Sequence, residues 1–320
     1  MSAHEHAHAP PAQVALGFAA VYILWGSTYL GIRFAVASIP PLLMAGTRFF
    51  AAGCLLYALV RLRGAPRPTA GHWRSAAILG GLLLLGGNGL VSIAEQAVPS
   101  GITALIVAAV PFWMVLLNAL EQRTPPKLSV IAGLVLGIVG LAILVLPDLG
   151  SASGHGTSLG VLLLLAACFS WAVGSLYSPR ATLPASTFLG VAMEMIAGGV
   201  LLWLVGLATG EGAALHFKAI TSTSLLALIY LTLFGSLLGF SAYVWLLKVT
   251  TPARASTYAF VNPVIAVILG WALAGEALTP RIALAGSIIV TGVCIIMYFG
   301  AARGAKAPEA KSSTSPEEAA

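Results

Sequence analysis

The sequence predicts an all-α integral membrane protein in which ten transmembrane helices form two inverted repeats of five helices each. Of its 320 residues, 59% are hydrophobic and 8% are charged, and the mean hydropathy is +0.97. A soluble domain has about 25% charged residues, so this chain has too few charges to cover a water-exposed surface. The two halves of the chain also resemble each other, which predicts the division into repeats.

Ten apolar runs are long enough to cross a bilayer, which takes about 20 residues for each helix. Prolines such as Pro99 and Pro252 fall at most of the breaks between them, because proline cannot continue a helix from its interior. The predicted spans are 14–33, 41–61, 75–97, 101–121, 127–147, 157–178, 185–208, 222–248, 253–274 and 280–300. Residues 1–13 and 301–320 are predicted to be disordered tails.

The Lys and Arg residues are distributed unequally between the two sides of this arrangement. Twelve of them lie in the tails and connections on one side, whereas Arg33, Lys218 and Arg281 lie on the other. By the positive-inside rule both termini are predicted to be cytoplasmic, in a multi-pass protein of the plasma (inner) membrane. The same distribution accounts for the net charge of +6, so we expect a lipid bilayer as partner and no nucleic acid.

Similar motifs recur in the two halves in the same order. Trp25 in span 1 corresponds to Trp171 in span 6. A Glu-x-x-Thr-Pro motif follows span 4, as Glu121-Gln122-Arg123-Thr124-Pro125, and follows span 9, as Glu276-Ala277-Leu278-Thr279-Pro280. Because each half has five spans, the second must enter the membrane from the opposite side, as in alternating-access transporters with a central substrate site. The predicted repeats are 14–147 and 157–300.

Several of these motifs resemble the drug/metabolite transporter superfamily, in its EamA family, and most closely the YedA-like exporters. The motifs are Ile23-Leu24-Trp25-Gly26-Ser27-Thr28-Tyr29, Pro40-Pro41-Leu42-Leu43-Met44-Ala45-Gly46, Val98-Pro99-Ser100-Gly101-Ile102 and Tyr258-Ala259-Phe260-Val261-Asn262-Pro263. The resemblance extends over about residues 14–300. It implies an inner-membrane permease that exports amino acids or other small metabolites, with a cavity lined by spans 1, 3, 4, 6, 8 and 9.

Polar and aromatic residues within the spans are the candidate substrate-binding residues, since small-molecule sites combine apolar walls with a few polar anchors. They are Trp25, Asn88, Glu95, Trp171, Tyr243, Tyr258 and Asn262. The aromatic members have an alternative position in the interfacial belt. Asn262 has the alternative of satisfying the backbone carbonyl that is freed by Pro263.

Arg48 and Glu194 occupy matching positions of the two repeats and are the candidate coupling residues. Charged groups inside spans are costly and frequently functional, so Arg48 is a candidate anion contact and Glu194 a candidate proton or cation site. Glu95, in the last turn of span 3, is expected either to contact a substrate amine or to carry a proton. For all three residues a purely structural role is the alternative.

Local helix irregularities are predicted at three places. Asn88 lies in the run Gly86-Gly87-Asn88-Gly89, whose low helix propensity predicts either a loosened turn or close helix packing with Asn88 bonded across helices. Pro111 and Pro263 are predicted to kink spans 4 and 9. The glycine pairs of Gly133-x-x-x-Gly137 and Gly235-x-x-x-Gly239 are predicted packing faces.

The sequence lacks the usual motifs for ATP binding, zinc hydrolysis and serine hydrolysis. We therefore predict a secondary transporter rather than an enzyme, with no cofactor and no metal, coupled to protons or to exchange. A passive uniporter or channel and a non-transport membrane protein are the alternatives, and a monomer and a homodimer are both compatible with the sequence.

Overall fold

The apolar runs form the predicted helices. The structure is a computed structural model, and it describes residues 10–149, 155–250, 254 and 257–300. Within these residues nine helices are long and apolar enough to cross a membrane, and a tenth apolar helix is shorter. The spans are Pro11–Val36, Pro41–Leu62, Ala70–Ala94, Ser100–Gln122, Leu128–Leu146, Ser158–Arg180, Thr187–Ala208, Ser222–Leu246, Tyr258–Ala274 and Pro280–Phe299. The predicted all-α, ten-helix fold class is confirmed.

Span 1 begins earlier than predicted. Its helix starts at Pro11, so residues 11–13, which were placed in the N-terminal tail, are helical in the structure. Proline is well suited to the first position of a helix because its missing N–H would have no partner there. The rest of that tail, residues 1–9, and the predicted C-terminal tail 301–320 lie outside the described residues.

Four spans depart from a regular α-helix. Spans 3 and 8, which occupy the same place in the two repeats, contain the π-helical segments Gly80–Gly89 and Leu231–Leu238. Span 1 consists of the helices Pro11–Gly26 and Thr28–Val36, and span 4 of Ser100–Val107 and Val110–Gln122. Pro111 lies in the first turn of the second helix of span 4, so the helix of this span is interrupted there rather than only kinked. Pro263 lies inside a continuous helix.

Repeat-related spans pack directly on each other. A Cβ placed on Gly53 of span 2 would lie 2.8 Å from the backbone nitrogen of Ile196 in span 7. A Cβ on Gly133 of span 5 would lie 2.8 Å from the carbonyl oxygen of Gly292 in span 10, and one on Gly137 would overlap the ring of Phe112. Small residues therefore bring the backbones of spans 2 and 7, and of spans 5 and 10, together.

The alternating direction of the spans defines two faces of the bundle. The termini face carries the start of span 1 and the end of span 10, together with the connections 2–3, 4–5, 6–7 and 8–9. The far face carries the connections 1–2, 3–4, 5–6, 7–8 and 9–10. The residues described below are placed relative to these two faces.

Candidate functional site

A cavity of about 770 Å³ lies in the middle of the bundle. Its size is within the range of sites for small organic molecules. Residues of every span except span 7 line it, so spans 2, 5 and 10 join the six expected from the family resemblance. The lining continues to Thr124 and Lys127, which are exposed at the termini face.

Most of the predicted substrate-binding residues come together in this cavity. The lining includes Trp25, Asn88, Trp171, Tyr243, Tyr258 and Asn262, together with Arg48, Pro111 and Pro263. Glu95 and Glu194 are not part of the lining. A direct contact of either carboxylate with substrate therefore has no support in this conformation, and the roles of all these residues stay predictions.

Three aromatic side chains form one wall of the cavity. The ring of Trp25 lies 4.9 Å from that of Tyr258, at nearly a right angle, and 5.1 Å from that of Tyr243. The two tyrosine rings are 5.5 Å apart. The two contacts of Tyr258 are edge-to-face and that of Trp25 with Tyr243 is tilted, and all three distances are typical of stabilising aromatic contacts. We call this group the aromatic wall.

Glycines of span 8 make room for the indole of Trp25. A Cβ on Gly239 would lie 2.5 Å from Trp25 Nε1, and this nitrogen donates a hydrogen bond to the carbonyl oxygen of Gly235 at 3.1 Å. The predicted packing face of span 8 thus packs against a cavity-lining tryptophan of the other repeat.

Arg48 is the charged residue buried in the cavity wall. Its side chain lies in span 2 and is 5% exposed. Its Nε donates a hydrogen bond to Ser236 Oγ at 2.8 Å, and its guanidinium lies 4.6 Å from the centre of the Phe49 ring. Gly235 permits this approach, since a Cβ there would lie 3.3 Å from Arg48 Nη2.

The two asparagines of the lining differ in their contacts. Asn88 donates from Nδ2 to the carbonyl oxygen of Leu83 at 3.4 Å, a bond within its own span at the end of the π-helical segment. The alternative of a bond from Asn88 across helices is therefore not what this conformation contains. Asn262 is 6% exposed, and its Oδ1 has no hydrogen-bond partner among the described residues.

Glu276 joins the two repeats at the far face. Its Oε1 accepts hydrogen bonds from the backbone N–H of Ser100 at 2.7 Å and from Ser100 Oγ at 2.8 Å, and its Oε2 accepts one from the N–H of Gly101 at 2.9 Å. Arg33 Nε lies 3.3 Å from the same Oε1. A helix N-terminus has free N–H groups and attracts a carboxylate. We call Arg33, Ser100, Gly101 and Glu276 the far-face latch.

The sequence identified Glu276 as part of a repeated motif, but it did not predict the contacts of this residue. The Glu-x-x-Thr-Pro motif and the helix start after Pro99 were both visible, yet 176 residues separate the carboxylate from its partner. Glu211 was missed altogether. It accepts hydrogen bonds from the N–H groups of Leu42 and Leu43 at 3.1 and 2.9 Å, at the start of span 2.

Glu95 directly follows the last helix of span 3 and is not part of the cavity lining. It is 1% exposed, and both of its carboxylate oxygens lack a hydrogen-bond partner among the described residues. The charges that act on it are those of Glu276, Arg33 and Arg48. Glu194 is half-buried on span 7, away from the cavity. Both carboxylates were predicted as candidate proton carriers, but they occupy different environments.

Residues 13–146 and 158–298 each match the EamA-like transporter family, and the two matches coincide with the two repeats. The chain belongs to this family. The Uncharacterized inner membrane transporter YedA of Escherichia coli (strain K12) is 42% identical over 92% of this chain and 95% of its own length. The Probable amino-acid metabolite efflux pump of Salmonella typhimurium (strain LT2) is 29% identical over 88% of this chain and 93% of its own.

A solved crystal structure that is 21% identical has the same fold. It superposes with a TM-score of 0.59 over 93% of this chain and the whole of that chain. As an EamA-family member, the protein is a multi-pass membrane transporter and not an enzyme. The predicted location in the inner membrane agrees with the name of its relative YedA.

Proposed function

We propose that this EamA-family transporter exports small organic solutes, amino acids or related metabolites, by alternating access. Two relatives named as probable amino-acid metabolite efflux pumps, at 29% and 26% identity, support the substrate class. The cavity of about 770 Å³ has room for a solute of that size. Both repeats supply its walls, as expected for a site that is exposed alternately to the two sides.

One observation carries the proposal: the cavity is closed toward the far face and continues toward the termini face. Glu276 of the second repeat holds the start of span 4 in the first repeat by three hydrogen bonds. At the termini face the repeat-related Glu121 is exposed and pairs with Arg180 of span 6, which is exposed as well. The two halves thus adopt unequal conformations, and an exchange of these conformations would move the opening to the far face.

The unequal distribution of Lys and Arg supports a cytoplasmic termini face. On that orientation the structure corresponds to the state in which an exporter takes up solute from the cytoplasm. This orientation can be tested with two introduced cysteines, one at Ala213 in the 7–8 connection and one at Thr182 in the 6–7 connection. We expect an impermeant thiol reagent to label Ala213→Cys in intact cells and Thr182→Cys only after permeabilisation, and the reverse pattern would invert the orientation.

Efflux from proteoliposomes tests the transport activity and its coupling. The purified protein is reconstituted with a panel of radiolabelled amino acids and organic acids, and efflux is measured with and without a pH gradient. We expect efflux that a pH gradient or an external exchange partner accelerates. If neither the pH gradient nor the exchange partner accelerates efflux, the protein is a passive uniporter. The absence of efflux for the whole panel would contradict the proposed substrate class.

A further inference from the structure

The described lining of the cavity has positive charge and no negative charge. Arg48 and Lys127 are its charged members, and neither Asp nor Glu contributes to it. Lys127 is exposed at the termini face, where water solvates its ammonium group. Arg48 lies within span 2, about two turns from its start at Pro41, and is 5% exposed. Arg48 is therefore the one buried charged side chain in the described lining of the cavity.

Arg48 has unused hydrogen-bonding capacity. A guanidinium carries five N–H donors, and the described residues give Arg48 one hydrogen bond, from Nε to Ser236 Oγ. No carboxylate of the described residues lies within ion-pair distance of it, although the charge of Glu95 acts on it from farther away. A buried charge normally needs a close partner. The Nη groups of Arg48 thus lack that partner within the described part of the protein.

We infer that Arg48 binds the carboxylate of the transported solute, so that the cavity selects small organic anions and zwitterions over amides and amines. The inference deepens the proposed function, on which it rests. A planar guanidinium can donate two parallel hydrogen bonds to a carboxylate. Because Nε is held by Ser236, the Nη atoms are the ones that face the solute.

The aromatic wall accepts the apolar part of the same solute. It is connected to the Arg48 site through consecutive residues of span 8: Trp25 Nε1 bonds to the carbonyl of Gly235, and Arg48 bonds to the hydroxyl of Ser236. A carboxylate at Arg48 and a hydrocarbon group against Trp25 and Tyr258 would fill both environments. The substrate class is therefore a carboxylic or amino acid with an apolar side chain.

Matched acid and amide pairs test the inference by binding, independently of transport. The thermal stability of the purified, detergent-solubilised protein is measured with 3-phenylpropanoate and 3-phenylpropanamide, isovalerate and isovaleramide, and leucine and leucinamide. We expect the acids to raise the melting temperature and the amides not to. In Arg48→Gln we expect acid binding to weaken about tenfold or more, because a hydrogen bond to a charged group is lost.

Two further variants separate charge recognition from a structural role of Arg48. Arg48→Lys keeps the charge but not the paired donors, so we expect a weaker preference for acids that is still measurable. Arg74→Gln removes an arginine that is exposed outside the cavity, and we expect it to keep the wild-type preference. Low yield of Arg48→Gln would leave the Arg48→Lys series as the test of the preference.

The possible results distinguish the inference from the proposed function. Equal stabilisation by acids and amides, no stabilisation of the wild type by any of the acids, or a full preference for acids in both Arg48 variants would each overturn the inference. Acid binding that depends on Arg48, without efflux of the same acids from proteoliposomes, would support the carboxylate site and contradict the transport proposal. Efflux of amides at the same rate as acids would support the transport proposal and contradict the carboxylate site.

Discussion

The carboxylate of Glu276 lies 2.7 Å from the backbone nitrogen of Ser100, and this contact fixes the end of span 9 to the start of span 4. The two residues belong to different repeats and meet at the far face of the bundle. Because the carboxylate binds a helix N-terminus and Arg33 together, it combines charge with directional hydrogen bonds. On the proposed alternating-access mechanism, we expect these bonds to break when the far face opens.

Glu276→Gln is expected to favour opening at the far face. The amide keeps one acceptor oxygen but loses the charge that binds Arg33 and the helix N-terminus, a loss of about 1.5–3 kcal/mol. Ile32→Cys, in a background without native cysteines, reports the opening because Ile32 lines the cavity and is 2% exposed in this conformation. We expect an impermeant reagent outside intact cells to label this cysteine about tenfold faster when Glu276→Gln is also present.

The repeat-related change Glu121→Gln is the control for this experiment. Glu121 is exposed at the termini face and its carboxylate pairs with Arg180 there, so its replacement should not accelerate labelling from outside. Equal labelling rates with and without the Glu276→Gln substitution would show that the latch does not hold the far face closed.

Gly86→Ala is expected to lower the yield and thermal stability of the protein. A Cβ on Gly86 would lie 2.1 Å from Ser170 Oγ and 2.9 Å from Ser170 Cβ of span 6. The hydroxyl would have to rotate away and lose its hydrogen bond to the carbonyl oxygen of Leu82, and the Cβ contact would remain too close. Gly81→Ala is the matched control in the same π-helical segment, because its Cβ would lie at an ordinary 3.6 Å from Leu201. Melting curves in detergent measure both.

The control variant also tests whether the π-helical segment acts as a hinge. Gly81→Ala favours the helical backbone by up to about 1 kcal/mol without a clash. Normal yield with slowed turnover of Gly81→Ala would indicate a hinge, and normal turnover would restrict the segment to packing. Equal stability of the Gly81→Ala and Gly86→Ala proteins would contradict the clash at Ser170.

Glu211→Ala is expected to destabilise the protein by about 1–3 kcal/mol. The carboxylate caps the first turn of span 2 through the N–H groups of Leu42 and Leu43, and the alanine leaves both donors without that acceptor. Glu121→Ala is the control, because an exposed ion pair contributes about 0–1 kcal/mol. The free energy of unfolding of both variants is measured in denaturant. An equal loss in the two variants would contradict the capping role of Glu211.

Glu95→Gln is expected to change the pH dependence of efflux without changing the apparent affinity for substrate. Its carboxylate does not line the cavity, yet the charges of Arg33 and Arg48 act on it from the two sides. Efflux rates over a range of pH and substrate concentration separate the two parameters. Glu194→Gln is measured in parallel. A change in the apparent affinity of Glu95→Gln would instead support a direct contact between Glu95 and the substrate.

The sequence predicted what depends on composition and on short-range pattern. The spans followed from apolar runs of about 20 residues, and the run Gly86-Gly87-Asn88-Gly89 indicated a loosened turn where the π-helical segment of span 3 lies. The corresponding segment of span 8, Leu231–Leu238, was not predicted because it contains a single glycine among ordinary helix-forming residues. The repeat relation between spans 3 and 8 could have suggested it.

What the sequence could not supply were contacts between distant segments. All six aromatic and amide residues predicted for the site line the cavity, since polar groups inside spans usually face the bundle interior. Glu95 and Glu194 do not, and hydropathy alone cannot distinguish a carboxylate buried beside the cavity from one that faces it. The partners of Glu211 and Glu276 lie 169 and 176 residues away, so only the folded chain identifies them.

The seams between repeat-related helices restrict which parts of the protein can move. At Gly133 and Gly292, and at Gly53 and Ile196, backbone faces backbone with no layer of side chains between them that could be compressed or rearranged. We therefore expect each pair to move as one rigid unit and the bending to occur at the interruptions of spans 1, 3, 4 and 8. On the proposed alternating-access mechanism, the bending would then occur in four of the spans that line the cavity.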